Sequence, residues 1–145
     1  MTQVGRGLVV ALAVAAVAAL AACARPSGPP ALHLLSKSYD FYITPSDAPP
    51  HAREDILYKV TVLDHKTQEP IENGEGQIFA NTRDGARTWD GFANGKEVGA
   101  YYGKLNFVTA DLWAMAIRFR RDSLHPLERV DWMQDVLNER PDSIP

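Results

Sequence analysis

Two kinds of apolar pattern divide the chain. Residues 8–22 form an unbroken run of Leu, Val and Ala, fifteen positions without a polar side chain. Beyond that run, apolar residues return at every second position. Ile56, Tyr58, Val60 and Val62 alternate with Leu57, Lys59, Thr61 and Leu63, the pattern of a half-buried strand with β-branched and aromatic residues on one face. Trp113, Met115, Ile117 and Phe119 alternate with Ala114, Ala116, Arg118 and Arg120, so one face is large and apolar and the other ends in cations. Tyr101, Leu105 and Phe107 share a face within residues 98–108, Tyr39, Phe41 and Ile43 within an earlier stretch, and residues 76–82 make a shorter candidate. Asn73-Gly74, Asp84-Gly85, Asp90-Gly91 and Asn94-Gly95 lie between these segments. Such dipeptides supply the positive φ angles that tight hairpin turns require. Repeated strands divided by such turns predict a mainly β domain over residues 32–125, an antiparallel sandwich or barrel.

The tail reads differently. Leu127, Val130, Met133 and Leu137 recur at spacings of three and four, behind Pro126 and an early acid, Glu128, and ahead of Pro141. Proline and an acid suit a first helical turn, and proline suits the stop, so residues 126–145 are expected to hold a short amphipathic helix and a tail. A strand through Val130, Trp132 and Val136 is the competing reading, weakened by Gln134.

The apolar run follows a short segment carrying Arg6 and ends in small residues before Cys23, the only cysteine. A spanning helix needs roughly 20 apolar residues. The shorter run has the layout of a secretory signal peptide, residues 1–22, the alternative being an uncleaved amino-terminal membrane helix with Arg6 inside the cell. Leu20, Ala21, Ala22 and Cys23 resemble the lipobox of bacterial lipoproteins. That resemblance implies a diacylglyceryl thioether and an N-acyl chain on Cys23 and a domain tethered to the periplasmic face of a membrane. With Ala24 rather than Asp after the cysteine, it leans to the outer membrane. More than one chain is needed for stable anchoring. Residues 23–31 are rich in proline, and at about 3.1 Å per residue they would hold the domain roughly 25 Å from the bilayer.

Charge narrows the partners. The chain carries a formal −3, and Arg6 belongs to the signal segment, which leaves −4 on the remainder. That balance gives no footprint for nucleic acid. Without a second cysteine there is no disulfide framework, thiolate metal site or catalytic thiol.

The segment TyrLysValThrValLeuAsp, the GluProIle turn and the GlyGlnIlePhe strand, with the later GlyAlaTyrTyrGly and LeuTrpAlaMet stretches, are similar to small extracytoplasmic immunoglobulin-like domains of the FixH and YtkA-like families. The likeness spans roughly residues 56–121. It implies an immunoglobulin-like β-sandwich and an accessory role beside membrane redox or metal-handling proteins, and it carries over no active site.

No catalytic constellation can be named. There is no Gly-x-Ser-x-Gly elbow, and His33, His51, His65 and His125 form no close-spaced ligand pair. His51 and His65 read as solvated surface residues, and Met115 and Met133 as packing. Asp64, Glu69, Glu72 and Glu75 read as a solvated acidic turn without EF-hand spacing. No metal and no cofactor beyond the lipid are expected. The suggestive stretch is residues 82–96, where Arg83, Arg87, Trp89, Phe92 and Lys96 are interleaved with glycines. Tryptophan and arginine most often anchor interfaces. Arg120, Arg121 and Trp132 form a second candidate surface. The expectation is a non-catalytic accessory or binding subunit, joined by lipid to a membrane and by these residues to a protein of a respiratory or photosynthetic type of complex. The alternative is an envelope carrier of a metal ion or small ligand.

Overall fold

The computed structural model describes residues 30–143. The expected signal peptide, residues 1–22, and Cys23 therefore lie outside the described residues. Nine strands run in chain order: β1 (Leu32–Leu35), β2 (Tyr39–Pro45), β3 (Asp55–Asp64), β4 (Glu75–Asn81), β5 (Arg87–Gly91), β6 (Ala93–Asn94), β7 (Ala100–Asn106), β8 (Asp111–Arg120) and β9 (Glu128–Val136). They form two antiparallel sheets, β1-β2-β3-β7-β6 and β5-β4-β8-β9. This is an immunoglobulin-like β-sandwich.

The alternating positions become the core. Tyr39, Phe41 and Ile43 of β2, Ile56, Tyr58, Val60 and Val62 of β3, and Tyr101 and Leu105 of β7 are buried against Ile78 of β4 and Trp113, Met115, Ile117 and Phe119 of β8. Rings interlock across the gap: Phe119 meets Tyr39 at 5.2 Å and Tyr101 at 5.1 Å, edge to face. Polar tips of the aromatics are bonded to the chain that covers the sandwich's ends. Tyr101 Oη donates to the Ile71 carbonyl at 2.6 Å and accepts from Gly74 N–H, and Trp113 Nε1 donates to the Thr109 carbonyl at 3.0 Å. Tyr58 is the exception: its buried hydroxyl has no hydrogen-bond partner among the described residues, and burial pushes its pKa well above the ordinary value.

The two sides of the sandwich close differently. On one, side chains of β5 reach the free amides of β7: Asp90 accepts from Lys104 N–H at 2.8 Å and Thr88 Oγ1 from Asn106 N–H at 3.4 Å. On the other, the Glu128 carboxylate at the start of β9 accepts from Ser36 Oγ and from Ser38 N–H at 3.0 Å. Burial works to raise the Glu128 carboxyl, and these donors outweigh it, so its pKa lies below the usual glutamate value.

Two expectations need correction. The tail is not an amphipathic helix: residues 128–136 are β9, paired with β8 over its whole length, and a three-residue 3₁₀ turn, Pro141–Ser143, is the sole helical element described after it. Val130 and Val136 are buried while Leu127, Met133 and Leu137 are exposed, so the spacing of three and four marked no common face. The ten-residue ladder of β8 requires a partner, and the alternation Val130, Trp132, Val136 supplies it despite Gln134. Residues 82–96 carry β5 and β6. Asp90-Gly91 lies inside β5 rather than in a turn, whereas Asp84-Gly85 does turn β4 into β5, with Gly85 at φ 92°.

Candidate functional site

β-Strand alternation gives the second sheet an outward face as well as an inward one. Register places Trp89, Phe79, Ala116 and Asp131 in one row across β5, β4, β8 and β9. Arg87, Asn81, Ala114 and Met133 form the next row, and Gln77, Arg118 and Arg129 lie on the other side. Trp89 is 68% exposed, and Met133 and Leu112 are also exposed on this face. Phe79 lies beneath two guanidinium groups, Arg118 at 5.2 Å and Arg129 at 5.1 Å from its ring centre. A shallow groove of about 550 Å³ runs here, bordered by Phe79, Asn81, Arg87, Trp89 and Arg118.

The electrostatics are unbalanced at one end. Arg129 is held by Asp131 at 2.7 Å. Arg83, Arg87 and Arg118 have no acidic partner among the described residues. Cation–π contact of this kind is worth roughly 0.5–1 kcal/mol at exposed sites, so Arg118 and Arg129 are positioned by Phe79, and the donors of Arg118 stay open to a partner. An exposed tryptophan between an aromatic and arginines on a rigid sheet is suited to docking an acidic surface that carries an apolar anchor.

The other residues singled out by sequence lie elsewhere. Phe92 is half-buried and packs against the core, 6.0 Å from Tyr101. Gly76 and Gly103 give it room: a Cβ on Gly76 would stand 3.1 Å from the Phe92 ring and 2.3 Å from the Arg118 carbonyl. Trp132 is half-buried on the inward side of β9, beside Met115 in register. Arg120 is bound to Glu75 at 2.9 Å. Arg121 is bound to Asp64 at 2.5 Å, and its N–H donates to Tyr39 Oη. Amides of Thr67 and Lys66, joined by Arg121, hold the Asp64 carboxyl down at about 2. Phe79, Arg118, Arg129 and Met133 join Trp89 only through strand register, which no local motif announces. The one available signal was the alternation of β8, which put Arg118 outward.

The fold also gathers histidines that the sequence keeps apart. Asp40, 5% exposed on β2, accepts from His65 Nδ1 at 2.5 Å and Gln68 Nε2 at 3.0 Å, with His33 Nε2 at 3.7 Å. The bonds from Gln68 and His65 keep its carboxyl below the ordinary aspartate value. His33 stacks on Tyr42 at 4.3 Å. The arrangement clamps the β3–β4 loop onto the first sheet. At the opposite end, Asp47, His51 and Glu54 offer ligand atoms within 4.8 Å of one another. Arg140 fills this cluster, bonding to Asp47 and lying 3.6 Å from Glu54. His51 is thus part of a network rather than a free surface residue.

The fold has solved counterparts. A DUF4426 family protein from Pseudomonas aeruginosa PAO1 superposes with a TM-score of 0.58 at 10% identity, over 76% of this chain and 97% of that one. A copper-bound variant of FetP from uropathogenic Escherichia coli strain F11 superposes at 0.53 with 9% identity, over 81% and 97%. At such identities the likeness is one of fold. No family model matches the sequence, and no curated protein matches it. Among the described residues, no helix is long and apolar enough to cross a membrane.

Proposed function

We propose that this chain is a lipid-anchored extracytoplasmic binding module without catalytic chemistry of its own, serving as an accessory subunit of a larger membrane complex. The observation that carries the reading is Trp89, 68% exposed beside Phe79 and its two arginines on the outward face of the second sheet. Single exposed apolar residues are normal; an aromatic set among arginines of which Arg87 and Arg118 lack acids is the composition of an interface core. The partner surface is acidic with an apolar anchor, matching Arg87 and Arg118. The LeuAlaAlaCys segment supports acylation of Cys23 and hence residence at the periplasmic face of a membrane, and the FixH and YtkA-like resemblance supports an accessory role. Native purification from detergent-solubilised membranes tests this. A stoichiometric membrane protein should accompany the wild-type chain and be lost with Trp89→Ala, and the amino-terminal peptide should begin at an acylated Cys23.

A second reading, an envelope carrier of a metal ion, draws support from Asp47, His51 and Glu54 and from a fold counterpart described as copper-bound. Neutral imidazole and carboxylates suit copper or zinc, and the ion would have to displace Arg140. A thermal shift with copper or zinc that vanishes in His51→Ala would favour it; no shift at saturating ion would sink it.

A further inference from the structure

The second sheet ends in two unlike strands. The flank of β5 is occupied, because Thr88 and Asp90 bond to β7. β9 pairs with β8 on one side and ends the sheet on the other. Among the described residues, no backbone-to-backbone hydrogen bond joins residues 128–136 to anything but β8; the first sheet's loops touch only the strand's ends, through the Glu128 carboxylate with Ser36 and Ser38 and through Leu137, which donates to the Pro50 carbonyl and accepts from Ala52. Edge strands are ordinarily blunted by shortness, proline, bulges or inward charges. β9 has nine residues, no proline and no glycine, and its one inward charge, Glu128, sits at its very start, bonded to Ser36 and Ser38.

We infer that two copies of this chain associate through β9, antiparallel about a two-fold axis at Trp132, joining two four-stranded sheets into one of eight strands. Charge and overlap together select this register: an axis at residue 130 would also oppose Arg129 and Asp131, but with only residues 128–132 paired. The axis at Trp132 sets Arg129 of one protomer opposite Asp135 of its partner, twice by symmetry, with all nine residues overlapping. Shifting the axis to residue 131 puts Asp131 opposite Asp131. Shifting it to residue 133 puts Asp131 opposite Asp135. Like charges directly opposite are destabilising, and opposite ones stabilise.

The monomer shows the same need. Arg118 stands directly across from Arg129 in the ladder, a like-charge pair relieved only by Asp131. At the far end of β9, Asp135 has no cation among the described residues. The proposed pairing extends the row to Arg118, Arg129 and the partner's Asp135. It also covers the open flank of half-buried Trp132 with the same residue of the partner. The Trp89 groove lies on the other side of the sheet's width and stays free, so a dimer would present it twice. One strand pairing buries a small interface, in the range of weak complexes, and confinement of both copies to one membrane would raise their effective concentration.

Sedimentation equilibrium of the full chain in density-matched detergent, over a concentration series, tests the pairing. The wild type should associate reversibly to a dimer. Arg129→Asp and Asp135→Arg should each weaken association roughly tenfold, and the double charge exchange should restore it to within about threefold, since opposite charges again face each other. Unchanged thermal melting of each variant shows that the sandwich is intact. A monomer at every concentration overturns the inference. So does a dimer indifferent to both single reversals, or one that the double exchange does not rescue.

Discussion

The two outward faces of the sandwich solve their charges in opposite ways. On the first sheet, polar groups meet one another: Lys59 with Glu97 at 2.8 Å, Lys104 with Asp55 at 3.2 Å, and the imidazoles of His33 and His65 around Asp40. On the second, Arg87 and Arg118 lie beside Trp89 and Phe79 with no acid paired to them among the described residues, and apolar Met133 and Leu112 are exposed. Both faces are carried by the same core and the same strand geometry. What separates them is whether the polar and aromatic groups find partners within the chain. The face that satisfies itself needs nothing further, and the one that leaves arginines and a tryptophan open is the proposed docking face.

The comparison can be broken at several levels, beginning with the core that both faces share. Trp113 is fully buried against Phe107 at 5.1 Å, and Trp113→Ala should cost about 3–5 kcal/mol, read by urea unfolding, with loss of both faces together. Trp89→Ala should do the reverse. Stability should change by less than about 0.5 kcal/mol, as for an exposed site, while affinity for the proposed membrane partner drops by roughly tenfold or more, measured by quantitative co-purification. Arg118→Glu sharpens the electrostatic part. It should weaken the partner at low salt, and the loss should shrink as salt is raised. On the first face, Asp40→Asn should lower the melting temperature and loosen the β3–β4 loop in hydrogen exchange, with partner binding unchanged.

The smallest effect is a pH dependence. Asp64 has its folded pKa depressed from 3.8 to about 2 by the Thr67 and Lys66 amides and Arg121. The unfolded chain takes up that proton first, so the stabilisation is present above pH 3.8 and is lost as pH falls towards 2. Asp64→Asn should flatten acid unfolding within that window, followed by circular dichroism.

Much of this arrangement was legible in the chain. Inward faces of β2, β3, β7 and β8 follow from alternation alone, because burial between two sheets demands it. β9 was not, since Leu127, Val130, Met133 and Leu137 happen to suit a helical stripe, and only the unfilled ladder of β8 decides for a strand. Trp89 stood out by residue type. Phe92 stood beside it and yet fills the space that Gly76 and Gly103 leave, a matter of packing across sheets. Phe79, Arg118 and Arg129 come together from three strands, and His33 and His65 meet over a carboxylate from a third segment. Such meetings depend on register between distant segments, which hydrophobic spacing does not encode.

The most direct test of the central claim is side-by-side native purification of the wild-type chain and Trp89→Ala from solubilised membranes, with the partner quantified by mass spectrometry. A stoichiometric membrane protein with the wild type, depleted at least about tenfold with Trp89→Ala at unchanged melting temperature, is the predicted result. Equal recovery with both chains, or no partner with either, would contradict the account.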